Sequence, residues 1–198
     1  TTTAANNFSL RESDIAGRVT LTGGSGAHVS YTKITQGLTL GGNITSTTIR
    51  NNTIQSSTSG VDVGASSSIT LRDNTLNGAT GIKLSATSSG EIFGNRVTAV
   101  STSLDIAATF SGPIRNNNFS GASVGVQYTV SVTLNDNDIV GNVTGVVAAA
   151  RSLGATTGAL GYVSGSLANR IYSNATGVNL SGVMQGQHIY NNQVGVAG

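Results

Sequence analysis

The chain has 198 residues, of which only 9% are charged and 5% aromatic, and 10 basic against 8 acidic residues leave a net charge of +2. That balance lacks the dense basic patch that nucleic-acid binding needs, and no apolar run approaches the ~18 residues of a membrane span. Cysteine is absent, which removes disulfides and thiolate-held metals and is compatible with a secreted bacterial protein.

In chain order, residues 1–9 form a polar N-terminal segment, and a repeat then occupies residues 10–198 as one domain. Its clearest copy is Ile49-Arg50-Asn51-Asn52-Thr53-Ile54, apolar-x-x-Asn-x-apolar. Leu71 to Leu76, Ile92 to Val97, Ile114 to Phe119 and Leu134 to Ile139 repeat it, and Ile171 to Asn174 and Ile189 to Val194 follow near the C-terminus. Aligning on the fourth position gives Ser13, Thr32, Asn52, Asn74, Asn95, Asn117, Asn137, Thr156, Asn174 and Asn192, at intervals of 18 to 22 residues. A period of this size indicates a solenoid. Thr156 is the weak member. The stretch 148–170 reads as a degenerate rung led by Leu153, the alternative being a loop carrying a short helix at 148–151.

A second apolar pair follows each motif, usually after glycine, as in Gly60-Val61-Asp62-Val63 and Gly81-Ile82-Lys83-Leu84. Alternation over three or four residues, broken by Gly, Asn or Ser, marks short strands with one buried face. Such a rung cannot bury its apolar side alone, so about ten rungs stack as parallel sheets around a shared core. Asparagine suits the corner because it tolerates a left-handed backbone. Its amide also donates and accepts, so Asn52, Asn74, Asn95, Asn117, Asn137, Asn174 and Asn192 are expected to form an internal ladder at a ~4.8 Å rise.

These motifs resemble the right-handed parallel β-helix repeat of the pectate-lyase-like superfamily, over residues 10–198. The resemblance implies an all-β, single-stranded, right-handed parallel β-helix. Relatives implied include pectin and alginate lyases, polysaccharide hydrolases, epimerases, phage tailspikes and adhesin stalks. The chain reads as a segment of a larger secreted or cell-surface protein.

Outward positions are where chemistry can reside, since inward ones are committed to packing. On the strand after the glycine, Asp62, Lys83 and Asp105 fall on three successive rungs. A cross-rung charge ladder explains them; the resemblance adds that carboxylates on this strand bind calcium in β-helix lyases, where a Lys or Arg abstracts the proton. Lys83 with Asp62 and Asp105 is therefore the candidate catalytic set, although two carboxylates favour the charged lysine over the base. A second stripe, Arg50, Arg72, Phe93, Arg115, Tyr172 and Tyr190, is the candidate ligand surface for an anionic polysaccharide, by guanidinium–carboxylate pairing and ring stacking.

Histidines 28 and 188 are too far apart for a paired metal site or triad, and no metal site is expected. Calcium at Asp73 or Asp136 is the one cofactor the turns admit, and a turn-forming role explains both residues. Short rungs leave little chain for the loops that build a deep cleft. The function expected is thus a structural or interaction rod, adhesin-like or tailspike-like, with an outer face open to polysaccharide or a host-surface partner. A polysaccharide-binding module, or a lyase or epimerase acting on uronic-acid polymers, is the alternative. End-to-end self-association is also expected, because terminal rungs of a solenoid expose apolar edges.

Overall fold

A computed structural model of the chain describes residues 6–130, 134–148, 168–180 and 187–198. Every strand pairing within them is parallel and links one rung to the next. The first face stacks Ser9–Arg11, Gly24–Ser30, Ile44–Arg50, Ser67–Arg72, Ser88–Phe93, Ile114–Arg115 and Leu134–Asn135. After a corner, a second face runs from Asp14–Ile15 through Thr53–Gln55 and Asp138–Val140 to His188–Tyr190. A third face carries the strands that follow the glycine, from Val19–Leu21 to Val194–Ala197. The second and third faces belong to one sheet because Thr75–Leu84 and Arg96–Ile106 run through the corner between them.

Each face sends alternate side chains inward, so three apolar columns meet on the axis. Ile49, Leu71 and Ile92 come from the first face, Ile54, Leu76 and Val97 from the second, and Val61, Ile82 and Leu104 from the third, all essentially inaccessible. Where the column widens to Phe119 and Tyr128, the next rung supplies the small Ala148 opposite Tyr128. The Tyr128 hydroxyl is buried without a partner, and burial pushes its phenol well above the ordinary value.

The corner between the first and second faces is built as expected, with one refinement. The left-handed residue is not the ladder asparagine but the one before it: Tyr31, Asn51, Asp73, Gly94, Asn116 and Asp136 all have φ between 52° and 66°. That turn aims the following asparagine inward, where Asn52, Asn74, Asn95, Asn117 and Asn137 are buried. From Asn52 to Asn117 each Nδ2 donates to the next Oδ1 at 2.9–3.0 Å and to a carbonyl on the rung behind, and each backbone N–H donates to the same Oδ1. Asn74 and Asn95 therefore lie one above the other, their amides 2.9 Å apart.

The ladder departs from expectation at its C-terminal end. It passes from Asn137 to Asn169 and then to Gln187, not to Asn174. Asn174 and Asn192 belong to a second ladder at the next corner, which opens at Ala122, enters Asn142 and runs through Asn174 to Asn192. The reason is register: Ile171 pairs with Ile139 on the second face, so it occupies the sixth motif position and not the first.

The same pairing removes the expected degenerate rung. Asp138–Val140 pairs directly with Arg170–Tyr172, and Thr144–Ala148 with Thr176–Leu180, leaving no place for a rung between them. The ladder spacing there is 32 residues, against 20 to 22 at the preceding steps. Residues 149–167 are thus inserted between consecutive rungs, and Leu153 and Thr156 lie outside the described residues. The longest ladder of strands has nine members, hence eight inter-rung steps, where ten rungs were expected. Arg170 ties the rungs flanking the insertion, donating to Asp138 Oδ1 at 2.7 Å and to Asp136 Oδ1 at 2.8 Å.

Candidate functional site

On the first face the residues that point outward form two columns parallel to the axis. One runs Ser9, His28, Thr48, Thr70 and Glu91, and its neighbour runs Arg11, Ser30, Arg50, Arg72, Phe93, Arg115 and Asn135. The expected stripe Arg50, Arg72, Phe93 and Arg115 is therefore contiguous. Phe93 lies between two guanidinium groups, with Arg72 5.9 Å and Arg115 4.5 Å from its ring centre. Such cation–ring contacts orient an arginine without neutralising it.

Carboxylates neutralise part of the stripe. Arg115 makes two bonds to Glu91 Oε1, at 2.6 and 3.0 Å, and Arg72 Nε donates to Asp73 Oδ2 at 2.9 Å. These are half-exposed pairs that a multivalent anion can compete for, since exposed ion pairs contribute only about 0–1 kcal/mol. Arg50 is held differently. Its guanidinium lies 6.0 Å from the Tyr31 ring, and its Nε is buried without an acceptor.

Tyr172 and Tyr190 do not extend this stripe. They pair with each other and with Val140 on the second face, stacked at 5.0 Å with an interplanar angle of 5°. The same five-residue shift that moved Asn174 moved them, so the arginine and tyrosine surfaces lie on different sides of the rod. Burial raises the Tyr172 phenol, reinforced by Asp138 and Tyr190 and opposed by Arg170.

The third face places Asp62, Lys83 and Asp105 in register on successive rungs. None of the three forms an ion pair shorter than 4 Å among the described residues, so the expected charge ladder is loose. One oxygen of Asp62 is buried and unpartnered. Desolvation raises the Asp105 carboxyl, and Lys83 partly opposes this. The turn carboxylates are engaged elsewhere, Asp73 by Arg72 and Asp136 by Arg170. Among the described residues no three of His, Asp or Glu gather to hold a metal, and no helix is long and apolar enough to cross a membrane.

Concave surface is shallow. An open groove of about 440 Å³ runs over four rungs beside the first face, lined by hydroxyl side chains such as Thr45, Ser66, Ser68, Thr87 and Ser111. A smaller recess of about 240 Å³ lies at the N-terminal end of the first face between Ser9, Arg11, His28, Ser30 and Arg50. Arg11 and Ser30 continue the outward stripe legible in the sequence, and the structure adds His28 beside them.

Stacked parallel faces, polar corner ladders and rungs of one repeat each define a parallel β-solenoid protein. The chain matches the family model described as right handed beta helix region over residues 17–158, and it belongs to that family, which makes the coil right-handed. No curated protein and no solved structure matches it.

Proposed function

We propose that this chain is a β-helical rod of a large secreted or cell-surface protein, adhesin-like or tailspike-like, whose first face contacts acidic polysaccharide. The observation that carries the reading is the contiguous outward column Arg50–Arg72–Phe93–Arg115, repeated at the rung spacing along one continuous parallel sheet. A linear polymer bearing regularly spaced carboxylates or sulfates matches a one-dimensional array of cations and a ring. A preformed array lowers the ordering cost of such binding.

Glycan-array screening followed by retention on uronic-acid polymers tests this. Arg72→Ala is expected to weaken retention by roughly tenfold, the loss of one charge-assisted pair. Unchanged retention, or no glycan bound at all, removes the polysaccharide contact. Assaying the same polymers for unsaturated products addresses the lyase or epimerase reading, which draws on Lys83 between Asp62 and Asp105. That reading requires product formation abolished by Lys83→Ala.

The same proposal includes end-to-end association of two copies. Tyr190, Val194 and Val196 in the last rung are each more than two-fifths exposed, and no later strand pairs with Val194–Ala197 among the described residues. Sedimentation velocity is expected to show a concentration-dependent dimer that Val196→Lys abolishes. A monomer at every concentration rules it out.

A further inference from the structure

The small recess at the N-terminal end of the first face has chemistry that the rest of that face lacks. Ser30 occupies the arginine column between Arg11 and Arg50, in register with both. Strands in a parallel sheet lie about 4.8 Å apart, so the two arginines stand on the rungs either side of a small residue. A serine there leaves a notch, with Ser30 buried at its base. His28, two residues earlier on the same strand, faces outward beside it, and Ser9 is its neighbour on the rung before.

Elsewhere on the column the cations are neutralised, Arg72 by Asp73 and Arg115 by Glu91. Arg11, His28 and Arg50 form no ion pair with a carboxylate among the described residues. Arg50 Nε is moreover buried without an acceptor. A buried guanidinium donor with no partner is unusual and costly, and it leaves the charge of Arg50 uncompensated beside the notch. Two arginines lining one recess, together with Ser9 and Ser30, suit the several lone pairs of a sulfate or carboxylate. Arg50, which lines the notch, also lies 6.0 Å from the half-exposed ring of Tyr31, and that ring is available to a pyranose.

We infer that the notch between Arg11 and Arg50 seats one anionic substituent, a sulfate ester or uronic carboxylate, of an acidic saccharide lying along the first face. The inference rests on the polysaccharide reading above and gives it a fixed point. The column then has two functions: the notch sets the register of the chain, and the Arg72–Phe93–Arg115 segment extends the contact.

Titration calorimetry of the full chain with inorganic sulfate reads the notch alone, and sulfated and uronic oligosaccharides then separate the sources of the anion. Sulfate is expected to bind at one site. Arg11→Gln and Arg50→Gln should each lower its affinity about tenfold, as one lost charge-assisted contact does. Ser30→Leu, which fills the gap and keeps both charges, should abolish binding, and Arg96→Gln on the second face should leave it unchanged. At least one oligosaccharide is expected to bind about tenfold tighter than sulfate, an advantage lost in Tyr31→Ala. Equal sulfate affinity in wild type and Arg50→Gln, or none in wild type, overturns the notch. Oligosaccharides no tighter than sulfate overturn its assignment to a saccharide. Polymer retention that depends on Arg72 but not on Arg50 sinks the notch and spares the polysaccharide contact.

Discussion

Asn95→Ala is expected to lower unfolding stability by about 3–4 kcal/mol, more than truncating any exposed side chain of the rod. The substitution removes the acceptor of both the backbone N–H and the Nδ2 of Asn74, and the donor to the Leu71 carbonyl. Asn74 Nδ2 keeps other acceptors in Ile49 O and Arg72 O, so the Asn74 backbone N–H loses its side-chain acceptor in the interior and the Leu71 carbonyl loses one donor. A buried orphan costs about 1–3 kcal/mol, and each further lost bond about 0.5–1.5 kcal/mol. Neighbouring rungs share the loss, because a solenoid is held by nearest-neighbour interfaces. Asn192→Ala provides the contrast: it ends the second ladder, is only half-buried, and has a neighbouring rung on one side only. Urea denaturation with hydrogen exchange at Asn74 reads both. Equal costs at the two positions would show that the ladder contributes no more than an exposed turn.

Gly125→Ala should cost about 2 kcal/mol, although the backbone there is not left-handed. A β-carbon at this position would stand 2.6 Å from the Gly145 carbonyl oxygen, 2.7 Å from Ile139 Cγ2 and 2.8 Å from Asn142 Nδ2. Overpacking of this kind costs typically 1–3 kcal/mol, and displacing the Asn142 amide also disturbs the second ladder. The opposing effect, a less flexible unfolded chain, returns only about 0.4–1 kcal/mol, so the net sign is destabilising. Ser103 holds the equivalent place in an earlier rung and is fully buried. The constraint is therefore the local space at Gly125, not a rule for the whole column. Gly141→Asn is the control: its φ is +66° with nothing within 4 Å of the added carbon, and asparagine tolerates that backbone. It should be near neutral by urea midpoint, and a loss equal to that of Gly125→Ala would refute the steric account.

Both predictions turn on features of unequal visibility in the sequence. Asn52 to Asn137 could be aligned because each sits between the same two apolar positions, and burial of an amide at a fixed spacing leaves a pattern in any listing of residues. The corner geometry was half visible. Asn, Asp and Gly at the position before the ladder signal a left-handed turn, but Tyr31 adopts it too, because its place at the corner overrides local propensity.

The misplacement of Asn174, Asn192, Tyr172 and Tyr190 has a specific origin. Ile171-Tyr172-Ser173-Asn174 satisfies apolar-x-x-Asn as well as Leu134-Asn135-Asp136-Asn137 does, and both corners use an Asn after a left-handed residue. Matching Asn174-Ala175-Thr176-Gly177-Val178 to Asn142-Val143-Thr144-Gly145-Val146 would have given the true register, because Gly145 and Gly177 stack where a β-carbon has no room.

The sequence by itself determined the solenoid, the order of strands in each rung, the first five ladder asparagines and the contiguous arginine column, because one-dimensional stacking turns sequence period directly into spatial adjacency. Only the tertiary structure decided which corner an asparagine occupies, that residues 149–167 are inserted between rungs, and which arginines retain free charge. Those outcomes depend on registry and on partners from other rungs, such as Glu91 beneath Arg115, and spacing along one chain does not encode which carboxylate reaches which cation.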